Sequence, residues 1–297
     1  MSKYDILFFD IDGTLVRDDH FTLSPRTRDA LPRRMCTPAR CTNTLSPRTR
    51  DALLAAREAG VKLAVASGRC LYILPEEVMA LGMDYAVTSN GAAVYDLKAG
   101  KQIYYNGVKA EKAAIVCRIV HPIDSFIEFF ADGGILLAKD AYAQIETHSM
   151  PVWHRHYFAK GNTPVVESIE QYIADGVPGL EKINLVHYGK ETINLIWQKL
   201  NDVGGFNLTS SIGRSLEVVG DNCTKGDAIR FLCQREGIEL ARTAGFGDSN
   251  NDEDMLRTVG CGVAMGNAKE CVKQVADAIT DTNEEDGVAT FIEKHVL

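Results

Sequence analysis

The chain has 297 residues, of which 45% are hydrophobic and 24% are charged, and its net charge at pH 7 is −8. This is an ordinary globular composition, and the length fits one large domain or two smaller ones. The acidic balance argues against a general nucleic-acid-binding protein, which would present a basic face. No apolar run is long enough to cross a bilayer and no signal-peptide pattern opens the sequence, so we expect a cytoplasmic protein.

Strands and helices alternate in the first part of the chain. Residues 5–11 are almost continuously apolar, which is typical of a strand buried on both faces. Residues 47–60 predict a helix with a proline near its start and a glycine as its stop. Residues 61–66 and 85–88 predict two further strands. This β-α-β-α-β order indicates a doubly wound α/β sheet.

The pattern changes to mixed strands and helices near residue 92, and the α/β rhythm returns later in the chain. We therefore predict a mainly parallel, Rossmann-like core formed by residues 1–90 and 213–297. Residues 91–212 are predicted to form an inserted α+β cap. Such a cap can exclude water from a site and contact the substrate.

A ten-residue repeat interrupts the core. TLSPRTRDAL occurs at residues 22–31 and again at residues 44–53, and the second copy leads directly into the predicted helix. We interpret residues 22–43 as a duplicated surface insertion. The alternative is an interaction module built on the basic residues 32–41. If the insertion is incidental, deletion of 22–43 should leave activity unchanged or improve it.

Two acidic residues, Asp10 and Asp12, follow the first apolar strand in the motif DIDGT. The carboxyl ends of strands are where open α/β sheets bind ligands. A carboxylate pair there can hold Mg²⁺ or act as a nucleophile on phosphorus. The DxD pair alone also occurs in sugar-nucleotide transferases and calcium loops, and it can simply cap a strand.

Three further clusters follow strands or begin helices. Ser67-Gly68-Arg69 can bind phosphate oxygens through a hydroxyl and backbone N–H groups. Lys225 opens a helix and can neutralise phosphate charge. The turn at residues 247–252 carries three oxygen-bearing side chains, Asp248, Asn251 and Asp252, that can hold a divalent cation. Together the clusters predict one site at one edge of the sheet.

The order of these motifs resembles the haloacid dehalogenase-like superfamily. FFDIDGTLV, AVASGR, TSNGA, TKGDAI, GFGDSNNDEDML, VAMGNA and EEDGVA are similar to the signatures of its Cof-like subfamily of sugar-phosphate phosphatases, which carries a type IIB cap. The resemblance covers the chain except residues near 22–43. In the middle region it is a match of length and position only.

The resemblance implies a role for each site residue. Asp10 would be the nucleophile, and Asp12 would be the general acid and then the base. Mg²⁺ would be held by Asp10, the Asp12 backbone carbonyl and Asp248, with Asn251 and Asp252 contributing directly or through water. Ser67 and Lys225 would bind the phosphoryl group. Asn90 would lie at the mouth of the site, and Arg69 would bind substrate or pair with a carboxylate.

The function expected from the resemblance is Mg²⁺-dependent hydrolysis of a small phosphorylated metabolite, a sugar phosphate, through an aspartyl-phosphate. A phosphomutase with the same chemistry and a non-catalytic phospho-ligand-binding protein remain alternatives. We expect no nucleic-acid or membrane partner, and a monomer or small homo-oligomer.

Overall fold

In a computed structural model of the protein, the described residues are 2–16, 45–123, 126–145, 154–155, 158, 163–175, 180–186, 188–210 and 215–297. The predicted insertion at 22–43 lies outside these ranges, as does the first copy of the repeat. None of the helices in the described ranges combines the length and apolarity needed to span a lipid bilayer.

The described strands, in chain order, are β1 (Ile6–Phe9), β2 (Lys62–Ala66), β3 (Tyr85–Thr88), β4 (Ala93–Asp96), β5 (Lys101–Tyr105), β6 (Ile127–Ala131), β7 (Gly134–Ala138), β8 (Val165–Val166), β9 (Lys182–Val186), β10 (Phe206–Thr209), β11 (Ser215–Gly220), β12 (Thr243–Gly247), β13 (Cys261–Ala264) and β14 (Ala278–Ile279). The described helices are α1 (Pro47–Glu58), α2 (Glu76–Met79), α3 (Ala110–Val120), α4 (Lys139–Ala143), α5 (Ile169–Ala174), α6 (Lys190–Val203), α7 (Lys225–Glu236), α8 (Glu253–Thr258), α9 (Glu270–Val275) and α10 (Gly287–His295).

Eight strands form the first sheet, in the order β14-β13-β12-β1-β2-β3-β4-β5. The pairs from β14 through β3 are parallel, and the β3–β4 and β4–β5 pairs are antiparallel. All four residues of β1 are buried, as expected for a central parallel strand. The predicted α/β fold with a mainly parallel sheet is confirmed.

Helix α1 begins where the sequence predicts it. The Ser46 side chain accepts a hydrogen bond from the Thr49 N–H at 3.0 Å, and Pro47 occupies the first turn, where its missing N–H costs nothing. Gly60 follows the helix at φ +88°, a conformation that a side chain would strain. The helix therefore starts within the second copy of the repeat, as predicted.

Six strands form the second sheet, in the order β10-β11-β9-β6-β7-β8. Apolar side chains that alternate along its strands face α3 and α6 and form a second hydrophobic core. Their intervening neighbours, including Glu217 and Asn184, point to the opposite face. That face is turned toward the first sheet, because Glu217 and Lys182 hydrogen-bond to its loops.

The change of sheet does not coincide with the predicted limits of the cap. The β4–β5 hairpin, predicted in the cap, extends the edge of the first sheet, whereas β11, predicted in the core, lies in the second. Both differences arise from antiparallel pairing between neighbouring segments, since β4 pairs with β3 and β11 with β10 and β9. The division at 1–90, 91–212 and 213–297 as domains stays a prediction.

Candidate active site

Four adjacent parallel strands deliver the predicted motifs to one edge of the first sheet. Asp10 follows β1, Ser67 follows β2, Ser89 follows β3 and Asp248 follows β12. Because these strands run in the order β12-β1-β2-β3, their carboxyl ends lie side by side. This edge is where open α/β sheets bind ligands.

Lys225 is at the centre of the site. Its Nζ lies 2.6 Å from Oδ1 of Asp10 and 2.6 Å from Oδ1 of Asp252, and the side chain is fully buried. Lys225 is the first residue of helix α7, and the start of this helix fixes its position. The N-cap is Thr224, whose hydroxyl accepts the Asp227 N–H at 3.0 Å. A buried ammonium needs such partners, since burial of an unpaired charge is costly.

Asp248 lies beside this pair. Its Oδ1 accepts a hydrogen bond from the Thr14 hydroxyl at 3.1 Å, and its Oδ2 accepts one from the Ser249 hydroxyl at 3.0 Å. Carboxylate oxygens of Asp10, Asp248 and Asp252 all lie within 4.8 Å of one another. When all three carboxylates are ionised, they and the one ammonium carry two net negative charges.

The excess negative charge changes the acidity of the cluster. Burial raises the pKa of Asp10 well above its usual range; Lys225 opposes this increase, and Asp252 and Asp248 add to it. Burial and then the proximity of Asp252 raise the pKa of Asp248 to about 7. Burial alone would lower the pKa of Lys225, but Asp10 and Asp252 outweigh it and raise that pKa, so the ammonium stays charged.

The donor set fits a hard divalent cation. Carboxylate oxygens are the ligands that Mg²⁺ prefers, and two positive charges would balance the two uncompensated negative ones. Asp252 has its oxygens engaged, because Oδ1 faces Lys225 and Oδ2 accepts the N–H groups of Asp248 and Ser249 at 3.0 and 2.9 Å. These contacts position the Lys225 side chain and the turn at residues 247–252.

Asn251 and Asn90 form a pair next to the cluster. The Asn251 amide nitrogen donates to Oδ1 of Asn90 at 3.0 Å, and Oδ1 of Asn251 has no hydrogen-bond partner among the described residues. Asn90 is buried and adopts φ +60°, and its own amide nitrogen donates to Glu217 of the second sheet at 2.5 Å. Asn90 thus joins the two sheets.

Asp12 stands apart from the buried cluster. Its side chain is 50% exposed, and both of its oxygens accept hydrogen bonds from the guanidinium of Arg69, at 2.8 and 2.5 Å. A third bond runs from Arg69 to the Ile73 carbonyl at 3.0 Å. Arg69 thus pairs with the Asp12 carboxylate, and its contact with substrate stays a prediction.

Ser67 is buried at the end of β2, and its hydroxyl accepts the Arg69 N–H at 3.2 Å. Sequence reasoning missed the neighbouring contacts from the second sheet, where Lys182 Nζ donates to the Gly68 carbonyl at 2.6 Å. The only sequence signal for them was the alternation of polar and apolar residues in β9 and β11, which ordinarily marks a solvent-facing side.

Comparisons with known proteins agree with this architecture. A family model described as haloacid dehalogenase-like hydrolase matches residues 39–292. The phosphatase YwpJ of Bacillus subtilis is 24% identical over 98% of this chain and 99% of its own length. An HMP-PP phosphatase of Yersinia pestis is 27% identical over 97% of this chain and 94% of its own length.

Solved structures show the same fold. A haloacid dehalogenase-like hydrolase from B. subtilis aligns with a TM-score of 0.77 at 22% identity, covering 98% of this chain and 99% of that one. A haloacid dehalogenase subclass IIB sugar phosphatase aligns with a TM-score of 0.73 at 23% identity, over 97% and 98% of the two chains. The prediction of an enzyme is confirmed, and the names of the relatives agree with the predicted class, a phosphoric monoester hydrolase. The chain belongs to the haloacid dehalogenase-like hydrolase family.

Proposed function

We propose that this protein is a Mg²⁺-dependent phosphatase that hydrolyses a small phosphorylated metabolite, a sugar phosphate, through an aspartyl-phosphate on Asp10. The observation that carries the proposal is the buried cluster in which Lys225 holds Asp10 and Asp252 beside Asp248. Its oxygen ligands and negative charge suit a divalent cation, and its lysine suits a phosphoryl group. The names of the two relatives described above, both phosphatases, support the same class.

In the first step, an Asp10 carboxylate oxygen would attack phosphorus while the bond from phosphorus to the leaving oxygen breaks. Lys225 fixes this carboxylate in place, which lowers the entropic cost of the attack. Asp12 would give its proton to the leaving oxygen, and Arg69 holds the Asp12 side chain through two bonds. Ser67 and Lys225 would bind the phosphoryl oxygens.

In the second step, a water molecule would attack phosphorus, the bond between Asp10 and phosphorus would break, and Asp12 would take the proton of the water. Inorganic phosphate then leaves and Asp10 is regenerated. Mg²⁺, when bound, would neutralise charge on the phosphoryl oxygens. We propose Asp10, Asp248 and the Asp12 backbone carbonyl as its ligands, and Asn251 as a direct or water-mediated one.

Release of free phosphate from a panel of phosphorylated metabolites tests the proposal. We expect release with Mg²⁺ and none after chelation, and a loss of at least about 10³-fold in Asp10→Asn, because the nucleophile is removed. Asp51→Asn is the control, since that side chain is 68% exposed on α1. An isomerised ester without free phosphate would identify a phosphomutase, and wild-type turnover by Asp10→Asn would reject Asp10 as the nucleophile. The cytoplasmic location and the oligomeric state stay predictions.

A further inference from the structure

A buried carboxylate, Glu181, joins the two sheets. It directly precedes β9 and is 1% exposed. The Ser89 hydroxyl donates to its Oε2 at 2.6 Å, and the Tyr95 hydroxyl and the Gly133 N–H donate to its Oε1 at 2.9 and 2.8 Å. Each carboxylate oxygen thus accepts at least one hydrogen bond, as a buried carboxylate requires.

The three donors to Glu181 belong to different parts of the fold. Ser89 follows β3 and Tyr95 lies in β4, both in the first sheet, whereas Gly133 lies in the turn between β6 and β7 of the second sheet. The Gly133 carbonyl in turn accepts the Tyr72 N–H, from the segment after β2, at 2.8 Å. Glu181 is therefore the common acceptor at a junction of the two sheets.

The turn that contains Ser89 is strained, and we call its residues 89–91 the β3–β4 turn. Ser89 and Asn90 adopt φ +51° and +60°, and within the described ranges they are the only adjacent non-glycine residues with positive φ. Side chains disfavour this left-handed conformation, so other contacts must compensate it. The Ser89 hydroxyl donates to Glu181, and the Asn90 amide donates to Glu217 at 2.5 Å. Carboxylates in and next to the second sheet thus hold both strained residues.

The backbone of the β3–β4 turn supports the proposed phosphate site. The Ser89 N–H donates to the Arg69 carbonyl at 2.9 Å, and the Asn90 N–H donates to the Ser67 carbonyl at 3.0 Å. Ser67 is a proposed ligand of the phosphoryl group, and the Arg69 side chain holds that of Asp12. A displacement of the turn would therefore move residues on which both proposed chemical steps depend.

The β3–β4 turn also contacts the other two parts of the site. A Cβ added to Gly91 would collide with the carbonyl of Thr224, the residue before Lys225, so the turn packs tightly against the start of α7. Oδ1 of Asn90 accepts the Asn251 amide at 3.0 Å, which joins the turn to residues 247–252. One short strained segment thus touches every loop that carries a proposed site residue after β2.

We propose that Glu181 is a positioning residue for phosphate release, and that it acts by holding the β3–β4 turn in its left-handed conformation. The proposal rests on the function proposed above. Glu181 acts through Ser89 and the backbone, not through contact with the phosphoryl group. Turnover depends on the exact placement of the reacting groups, so loss of the Glu181–Ser89 bond should lower kcat more than it changes KM.

The first test compares Ser89→Ala with Tyr95→Phe in the full-length, Mg²⁺-loaded protein. Each variant removes one hydroxyl that donates to Glu181, but only Ser89 lies in the turn, and Oε1 keeps the Gly133 N–H when the Tyr95 hydroxyl is absent. The substrates are glucose 6-phosphate, ribose 5-phosphate and p-nitrophenyl phosphate. We expect Ser89→Ala to lower kcat by about tenfold or more with KM within about threefold, and Tyr95→Phe to stay within about twofold of wild type in both constants.

Two further variants distinguish positioning from other roles of the hydroxyl. Ser89→Gly also lacks the hydroxyl, but glycine adopts positive φ without the penalty of alanine, so its kcat should be at least about threefold above that of Ser89→Ala. Glu181→Gln tests the carboxylate itself. An amide has only one oxygen and cannot accept from donors on both sides, so we expect kcat to fall about threefold or more. Thermal melting curves verify that each variant is folded.

Amide hydrogen exchange of peptides that cover residues 85–92 reports on the turn without any substrate. The N–H groups of Ser89 and Asn90 are protected only while the turn stays bonded to the Ser67–Arg69 loop. We expect faster exchange of these peptides in Ser89→Ala and Glu181→Gln, and wild-type exchange in Tyr95→Phe. If Ser89→Ala unfolds, the comparison of Glu181→Gln with Tyr95→Phe provides the same test.

The outcomes separate this inference from the proposed function. Wild-type kcat or wild-type exchange in both Ser89→Ala and Glu181→Gln would overturn the positioning role of Glu181 and leave the phosphatase intact. Equal kcat in Ser89→Ala and Ser89→Gly, or equal losses in Ser89→Ala and Tyr95→Phe, would do the same. Absence of phosphate release by the wild type from all three esters would overturn the phosphatase function itself, and the inference with it.

Discussion

The ammonium of Lys225 lies 2.6 Å from the carboxylate of Asp10, and Lys225 is completely buried. The same ammonium lies 2.6 Å from the carboxylate of Asp252, so the loss of Lys225 would leave two buried carboxylates without their shared partner. Removal of one partner of a buried ion pair typically costs about 3–5 kcal/mol.

Lys225→Met should therefore lower the free energy of unfolding by about 3–5 kcal/mol in metal-free protein, with a loss of phosphate release of at least about 10²-fold. Chemical denaturation and phosphate release are the measurements. Lys199→Met is the matched control, because Lys199 is exposed on α6, and its effect should stay within about 0.5 kcal/mol. Equal stability of the two variants would contradict the central role of Lys225.

The acidity of the cluster predicts how stability depends on pH without metal. The pKa of Asp248 is raised to about 7 in the folded protein from an ordinary value of 3.8. Between these two values the folded state binds more protons than the unfolded state, so stability falls as pH rises toward 7. Chelated protein should melt at a higher temperature at pH 6 than at pH 8.

Asp248→Asn should reduce this dependence, since one of the groups with a raised pKa is absent. Excess Mg²⁺ should raise the melting temperature more at pH 8 than at pH 6, because the metal competes with protons. Differential scanning calorimetry of both proteins across this interval provides the measurement. If the melting temperature changes equally with pH in wild type and Asp248→Asn, the pH dependence arises from other groups.

The Arg69–Asp12 pair predicts a positioning effect on turnover. Arg69→Ala should lower kcat by about tenfold or more, because a displaced catalytic group loses much of its effect. Arg69→Lys should recover only part of it, since lysine cannot form the two parallel bonds. Steady-state kinetics of phosphate release supply the readout.

Arg48→Ala is the control for this prediction. Arg48 also forms two bonds to one carboxylate, that of Glu293, at 3.1 and 2.6 Å, but the pair is nearly half exposed and joins α1 to α10. We expect wild-type kcat and a melting temperature close to that of the wild type, because exposed ion pairs contribute little to stability. A similar fall in kcat in both variants would show that Arg69 has no special relation to Asp12.

A comparison of Gly13 with Gly60 distinguishes the effect of backbone strain from the effect of contact with Asp248. It adopts φ +80°, and an added Cβ would lie 2.7 Å from Oδ2 of Asp248. Gly60 has a similar φ of +88° with no atom within 4 Å of an added Cβ. Both alanine variants should lose about 1–2 kcal/mol from the left-handed backbone conformation.

Only Gly13→Ala should also displace Asp248 and raise the Mg²⁺ concentration needed for half-maximal activity, by about tenfold. Titration of phosphate release with Mg²⁺ distinguishes the two glycines. An equal Mg²⁺ requirement in both variants would show that Asp248 tolerates the displacement, or takes no part in metal binding.

Many elements follow from local sequence. One of the predicted strands, Tyr85–Thr88, has the bounds that the structure shows. Buried parallel strands are apolar throughout, and glycine and proline mark their ends, so short-range signals suffice. The same reasoning located Asp10, Ser67 and Asp248, because the carboxyl ends of parallel strands meet at one edge.

Other relationships depend on pairing between distant segments. β11 follows the second sheet in sequence and belongs to it only because it pairs with β9 and β10. No local sequence feature near residue 213 indicates that β11 pairs within the second sheet. The predicted start of the core segment at residue 213 therefore differs from the point where the chain returns to the first sheet. The partner of Arg69 likewise required the fold, since Asp12 lies 57 residues away.

The sequence by itself determined the α/β class, the family and the set of polar residues at the strand ends, because these are properties of local composition and motif order. The tertiary structure alone decided which charges meet. It placed Lys225 between Asp10 and Asp252, brought Asp248 next to them, and turned the polar face of the second sheet toward the site. A strand with alternating polar residues looks the same whether its polar face meets water or another sheet, and only packing distinguishes the two.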